Sequence, residues 1–160
     1  MKILISPYSQ KLPVDKPNPK NYPYWEEVVK ITKNKLPKIE IVQVGAKGEE
    51  IIKGVTHLAH NLEPKELLEL TKSCDAWLCV DNFLQHFCTY YNIPNGIVIF
   101  GQSDPKHFGY PSNINLLKDR SYLRKDQFLI WWHETVTYRA DAFVDADTVA
   151  KTLFKVLKVD

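Results

Sequence analysis

Asn82 and His86 are four residues apart and closely follow an apolar run that ends at Val80. If a helix begins here, the two side chains share one helical face near the positive end of the helix dipole. A phosphate held there would meet backbone amides, a carboxamide and an imidazole together. The same pattern is also typical of a helix capped by Asp81 and Asn82, with His86 packed beneath the sheet edge. Both interpretations stay open from the residues alone.

A glutamate and a lysine stand in comparable loop positions. Glu49 follows an apolar run and a turn with two glycines, where a carboxylate can accept hydrogen bonds from ribose hydroxyls. A solvated glutamate in a first helical turn fits the same pattern. Lys20 ends a proline-rich loop and could supply a positive charge to a phosphate, although lysines in polar loops are ordinarily just solvated. The other candidate contacts in strand-end loops are Ser6, Ser103 and Asp104.

Short apolar runs alternate with amphipathic segments along the chain, which favours a parallel sheet covered by helices on both faces. The pattern predicts strands over residues 3–5, 39–44, 76–80 and 96–100, and helices over 23–35, 63–74, 83–91 and 145–157. Residues 8–21 and 101–120 are expected to be long loops, and 123–136 suits either helix or strand. Ligands of such sheets bind beyond the carboxyl ends of the strands. We therefore expect a single Rossmann-like three-layer α/β domain over residues 1–160, with its site at that edge.

Composition and charge narrow the range of partners. The net charge of +2 is spread over 21 basic and 19 acidic residues, so the sequence offers no basic stripe for nucleic acid. No apolar run approaches the roughly 20 residues that a membrane span needs, and the N-terminal run is too short for a secretory signal. We therefore expect a cytoplasmic protein that does not bind nucleic acid and has no membrane span.

Cysteines and histidines give little support for a metal site. The three cysteines form no Cys-x-x-Cys pair and lie in apolar surroundings, which is typical of buried reduced thiols. His57 and His60 could share a helical face, but no cysteine or carboxylate joins them at a recognised metal-ligand spacing. The Gly-x-Ser-x-Gly turn of α/β hydrolases is also missing from the sequence. We expect no metal and no cofactor.

Four short motifs, in the same order along the chain, resemble those of glycosyltransferase family 9, the ADP-heptose:lipopolysaccharide heptosyltransferases. Lys-Asn-Tyr-Pro at 20–23 is similar to the family's Lys-x-Trp-Pro, and Gly-Ala-Lys-Gly-Glu at 45–49 to its Gly-x-x-x-Glu turn. Asp-Asn-Phe-Leu-Gln-His at 81–86 is similar to Asp-(Ser/Thr)-Gly-x-x-His, and Gly-Gln-Ser-Asp-Pro at 101–105 to Gly-x-(Thr/Ser)-Asp-Pro. Together the motifs are a more specific signal than any one of them.

The resemblance runs from Ile3 to about Asp104 and concerns the C-terminal, donor-binding half of a two-domain GT-B fold. The sequence departs from the family at Asn82, where a hydroxyl residue is usual, and at Phe83, where the family has glycine. The segment from Phe108 onward is not expected to match. The acceptor-binding half, which would supply a carboxylate general base, has no counterpart in the 160 residues.

The resemblance implies a nucleotide-sugar donor, ADP-heptose or a related compound, and transfer of its sugar with inversion at the anomeric carbon. Lys20 would contact the donor phosphates, Glu49 the nucleoside ribose, and Asp81, Asn82 and His86 the sugar-diphosphate region. The acceptor-binding half would come from a separate protein or from the second subunit of a homodimer.

Two functions of other kinds also fit the sequence. The chain could be a non-catalytic module that binds or sequesters a nucleotide, or an interaction domain that has lost the ligand. Alternatively, the strand-end loops could serve a nucleoside hydrolase or transferase, with Asp81 or Glu49 as nucleophile or base. As for self-association, an exposed surface with Trp131 and Trp132 would be unusual on a monomer.

Overall fold

The computed structural model describes residues 1–13, 16–130 and 136–159. Its strands are β1 (Lys2–Ser6), β2 (Glu40–Gly45), β3 (His57–His60), β4 (Ala76–Val80), β5 (Gly96–Phe100) and β6 (Ile114–Leu117). Its helices are α1 (Trp25–Lys35), α2 (Pro64–Lys72), α3 (Phe83–Tyr90), the single-turn α4 (Pro105–Phe108) and α5 (Ala146–Leu157). Within the described residues, all six strands are parallel and form one sheet in the order β3-β2-β1-β4-β5-β6. The predicted Rossmann-like α/β fold is confirmed.

The core consists of two apolar layers, one on each face of the sheet. In β1, Ile3 and Ile5 face one layer and Leu4 faces the other, because side chains alternate along a strand. Trp25 and Leu153 pack α1 and α5 onto the first face, whereas α2 and α3 cover the second. Strands buried on both faces read as continuous apolar runs, which explains why the sequence predicts the four central ones.

Local signals set where the helices begin. Pro64 opens α2, and a capping box joins Glu63 and Glu66. Asn82 caps α3 by accepting a hydrogen bond from the backbone N–H of Leu84 at 3.0 Å. Both helices therefore begin at or next to the predicted residues.

Two edge strands escaped the sequence prediction. β3 lies between the glycine turn and α2, and pairs with β2, with His57 in register with Val42. Its sequence, His-Leu-Ala-His, has no β-branched residue, so the pairing with β2 rather than local propensity makes it a strand. β6 lies in the segment expected to be a long loop and pairs with β5 in the same way. His57 and His60 consequently lie on a strand and not on a helical face.

Residues 123–130, which suited either helix or strand, form neither. Trp131 and Trp132, on which the expected self-associating surface depends, lie outside the described residues. Among the described helices, none has the length and apolar character required to cross a bilayer.

The cysteines behave as structural side chains. Cys74, Cys79 and Cys88 are free thiols, and the latter two are buried. Burial raises the pKa of each thiol, so the reactive thiolate is disfavoured. In the part of the chain that the structure describes, no group of three or more His, Cys, Asp or Glu side chains could hold a metal ion.

Candidate functional site

A cavity of about 560 Å³ opens at the carboxyl ends of β1, β2 and β4. At this point the strand order reverses, because β1 pairs with β2 on one side and with β4 on the other. Helix α3 begins at the same edge, where the first N–H groups of a helix lack partners within it. The sequence-predicted residues on the cavity wall are Ser6, Lys20, Glu49, Asp81, Asn82 and His86.

Asp81 and Lys20 form an ion pair on this wall. Lys20 Nζ lies 2.7 Å from Asp81 Oδ2, and the Asp81 side chain is only 5% exposed. Gln85, one helical turn further along, donates to the other carboxylate oxygen at 2.6 Å. The Lys20 side chain is 22% exposed and lines the cavity together with Asp81.

Asn82 joins the ends of β1 and β4. Its Nδ2 donates to the Ser6 hydroxyl at 2.9 Å and to the Tyr8 carbonyl at 2.8 Å, while its Oδ1 caps α3. The Ser6 side chain is buried beside it. These contacts hold two strand-end loops together, so the capping interpretation of Asn82 is confirmed.

Glu49 reaches the cavity from the turn after β2. Its carboxylate lies so close to Gly45 that a Cβ on that glycine would overlap Glu49 Oε2. Burial raises the pKa of Glu49, against the opposing effects of a backbone hydrogen bond from Ala46 and of nearby His60. Glu49 Oε2 is buried and has no hydrogen-bond partner within the described residues. Buried acceptors ordinarily have partners, so this oxygen is suited to a ligand hydroxyl.

His86 lies on the exposed side of α3 and lines the cavity. Its Nδ1 is 2.8 Å from the Tyr110 hydroxyl oxygen, and the two rings meet edge to face with centroids 5.6 Å apart. The interpretation of a histidine packed beneath the sheet edge is therefore wrong. The imidazole is accessible to a ligand.

Ser103 and Asp104, in the loop after β5, do not line the cavity. Asp104 caps α4 through the Lys106 N–H at 2.9 Å and pairs with Arg120, whose Nη1 lies 3.1 Å from Oδ1. The hydrogen bonds from Arg120, assisted by that cap, lower the pKa of Asp104. Ser103 Oγ accepts a hydrogen bond from Arg124 at 3.2 Å. The structure thus gives both residues partners within the protein.

Two tyrosines of this region escaped the sequence prediction. Tyr8 lines the cavity, and burial raises its pKa to about 12. It stands two residues after the end of β1, so its place in a strand-end loop could have revealed it. Tyr110 had no comparable signal, because it reaches His86 only through the tertiary packing. Phe83, a departure from the family motif, lines the cavity and is 65% exposed.

No family model and no curated protein matches the chain. Several solved structures are similar to it in fold. Escherichia coli ADP-heptose lipopolysaccharide heptosyltransferase II superposes with a TM-score of 0.65 at 14% identity, over 98% of this chain and 46% of that one. The E. coli heptosyltransferase WaaC, solved with ADP, gives 0.65 at 12% identity, over 96% of this chain and 43% of that one. TibC, an iron-containing dodecameric glycosyltransferase of enterotoxigenic E. coli H10407, superposes with a TM-score of 0.69 at 15% identity, over 98% of this chain and 46% of that one.

At identities of 12% to 15%, these likenesses concern the fold. They cover nearly the whole chain, so the likeness extends past Asp104 and includes the segment from Phe108 onward, which the motifs did not match. The chain spans less than half the length of the proteins it matches. It has the α/β fold of about one half of a heptosyltransferase of the GT-B type.

Proposed function

We propose that the chain binds a nucleotide-sugar in the cavity beside β1, β2 and β4, as the C-terminal, donor-binding half of a glycosyltransferase. The observation that carries the proposal is a buried carboxylate oxygen of Glu49, which has no hydrogen-bond partner among the described residues and belongs to the same cavity as the ion pair of Lys20 and Asp81. WaaC was solved with ADP and TibC with ADP-D-beta-D-heptose. An ADP-heptose-like donor is therefore the first candidate.

Glu49 is the proposed contact of the ribose. The two hydroxyls of a ribose diol are both donors, and one carboxylate can accept from both. Gly45 supports this role because the absence of a Cβ leaves room for the Glu49 carboxylate. The apolar side chains on the cavity wall are suited to contact with a planar base. They include Val44, Ala59, Leu62 and Leu67.

The diphosphate is proposed to lie against the first turn of α3. Unpaired backbone N–H groups and the helix dipole favour an anion there. Lys20 and His86 add a cation and an imidazole on the same wall. Asp81 holds the Lys20 ammonium in place, and Ser6 and Asn82 hold the surrounding loops together. Ser103 and Asp104 are left out of the proposed contacts because they lie outside the cavity.

Glycosyl transfer needs a base for the acceptor hydroxyl as well as a stabilised leaving group. We propose that a separate acceptor-binding protein or a second copy of the chain supplies that base, and that transfer inverts the anomeric carbon. The free thiols suit a reducing compartment, so we place this activity in the cytoplasm.

A non-catalytic nucleotide-binding module is the second candidate function. Phe83 occupies the first helical position of α3 and lines the cavity, with 65% of its surface exposed. A ring at this position restricts how closely a diphosphate can approach the backbone amides. This restriction favours a smaller nucleotide, or binding without turnover.

Calorimetry with ADP and with ADP-, UDP- and GDP-sugars tests the proposal. We expect binding of one nucleotide class, weakened about tenfold in Glu49→Ala through loss of charged hydrogen bonds. Glu50→Ala removes an exposed carboxylate next in the chain and serves as the matched control. The absence of binding by any of these compounds at about millimolar concentration, roughly 4 kcal/mol of affinity, contradicts the proposal.

An assay for released nucleotide distinguishes the two candidates. Release that depends on an acceptor-binding partner supports a glycosyltransferase, whereas tight binding without release supports a non-catalytic module.

A further inference from the structure

Tyr110 lies outside the cavity wall but contacts a residue that belongs to it. Its hydroxyl oxygen is 2.8 Å from His86 Nδ1, and the two ring planes meet at 79° with centroids 5.6 Å apart. The Tyr110 carbonyl accepts a hydrogen bond from the side chain of Asn115 at 3.0 Å. The tyrosine is half-buried and held by its backbone, so it can fix the orientation of the more exposed imidazole.

This contact bears on which nitrogen of His86 carries the proton. A neutral imidazole has one N–H donor and one acceptor, and the partner of one nitrogen sets the state of the other. The Tyr110 hydroxyl can either donate to Nδ1 or accept from an Nδ1–H group. In the arrangement in which Tyr110 donates, the imidazole proton lies on Nε2, and Nε2 is the nitrogen that offers an N–H group.

We propose that Tyr110 is a positioning residue, which holds the His86 imidazole so that an Nε2–H group, and not a lone pair, is offered to a phosphate oxygen in the cavity. The inference rests on the proposed function, which places phosphates beside His86. Without Tyr110, the ring would sample other orientations and the other tautomer. Ordering the ring for the hydrogen bond would then cost free energy and weaken binding. The other ionisable groups on the cavity wall, which both variants below leave in place, are Tyr8, Lys20, Glu49 and Asp81.

Two-bond ¹H–¹⁵N correlation spectra of the ligand-free protein test the tautomer directly. In the neutral imidazole, we expect wild-type His86 to carry its proton on Nε2, and His86 of Tyr110→Phe to exchange between both tautomers. Tyr90→Phe removes the hydroxyl of an exposed tyrosine on the same helix as His86 and should leave the spectrum unchanged. A proton on Nδ1 in the neutral wild type, or an unchanged tautomer in Tyr110→Phe, overturns the inference.

The affinity for ADP tests the consequence for binding. Tyr110→Phe should weaken ADP binding about three- to tenfold, the effect of one hydrogen bond. Tyr90→Phe should bind as the wild type does.

Undiminished ADP affinity in Tyr110→Phe, or an equal loss in Tyr90→Phe, overturns the positioning role. Failure of the wild type to bind ADP contradicts the proposed function itself and removes the phosphate from the inference. The tautomer spectra are recorded without ligand, so they decide separately whether Tyr110 fixes the proton on Nε2.

Discussion

The loops after β4 and β5 each contain a buried aspartate that follows a buried strand, and the two aspartates differ in their partners and in their position relative to the cavity. Asp81 pairs with Lys20, and both side chains line the cavity. Asp104 pairs with Arg120 and caps α4, outside the cavity. A polar residue at a strand end is therefore available to a ligand only where the neighbouring loops leave a cavity beside it. Where the neighbouring loops cover the residue, it instead makes contacts that hold those loops together.

The two ion-paired regions come close together at Phe108. Its ring centroid is 6.0 Å from Lys20 Nζ, on the cavity side, and 5.5 Å from the guanidinium carbon of Arg124, in the loop region around Ser103. Substitutions on either side of this ring can therefore test whether the two regions are functionally distinct even though they are close in space.

The largest expected effect is that of Lys20→Gln on ADP binding. The substitution removes a charged donor to phosphate and should weaken binding about 10- to 100-fold. Arg120→Gln removes the corresponding cation outside the cavity and should leave binding unchanged. Calorimetry with both variants, after a thermal unfolding check, measures the difference. Equal losses in the two variants would remove the distinction between the loops.

Asp104→Asn should instead change stability. The substitution weakens a helix cap and an ion pair, so we expect the free energy of unfolding to fall by about 1 to 2 kcal/mol at neutral pH. The affinity for ADP should be retained. The pKa of Asp104 is lowered in the fold, so its stabilisation is present above about pH 4, the ordinary range, and is lost as the pH falls through the lowered pKa. The difference between wild type and variant should therefore shrink on acidification.

Denaturant unfolding at neutral and acidic pH measures this effect, with the exposed Asp147→Asn as control. A difference for Asp104→Asn that is constant with pH would show that its carboxylate is not the stabilising group.

Gly45→Ala should affect binding more than stability. The new Cβ overlaps the Glu49 carboxylate, which is the end of a flexible side chain and can move away at little cost to the fold. We expect ADP affinity to fall about five- to tenfold, the effect of one or two hydrogen bonds, with the unfolding free energy nearly unchanged. In a Glu49→Ala background the substitution should add nothing. Additive losses in this double-mutant cycle would mean that Gly45 acts without Glu49.

Glu49→Gln should give the smallest effect, a rise in melting temperature near neutral pH. Burial raises the pKa of Glu49. The free energy of unfolding of the wild type therefore falls as the pH rises from about 4 through the raised pKa, because the buried carboxylate becomes charged. The amide carries no such penalty, and the two proteins should melt alike below about pH 4, where the carboxyl is neutral in both states. Melting curves across this range measure the effect. A melting temperature of the variant below that of wild type at neutral pH would show a stabilising carboxylate.

Much of the candidate cavity could be predicted from the sequence because it follows from strand ends. Lys20, Glu49 and Asp81 each stand in a loop next to a predicted strand or helix, and the structure places all three on one wall. The sequence could not separate Asp81 from Asp104, because the partners that distinguish them are distant in the chain or lie in a segment without a clear pattern. Arg120 is one such partner, since its ion pair depends on how residues after β6 fold back over the loop.

Local patterns in the sequence specify the four central strands and the starts of the four longer helices, whereas α4 lies in a segment expected to be a loop. Apolar runs and capping residues act within a few positions of one another, so their consequences are local. Tertiary structure alone decided the edge strands β3 and β6, which exist because a neighbouring strand offers hydrogen-bonding groups. It also decided the contact between His86 and Tyr110, which are 24 residues apart. Such pairings depend on groups brought together only by the completed sheet, and no local pattern of residues specifies them.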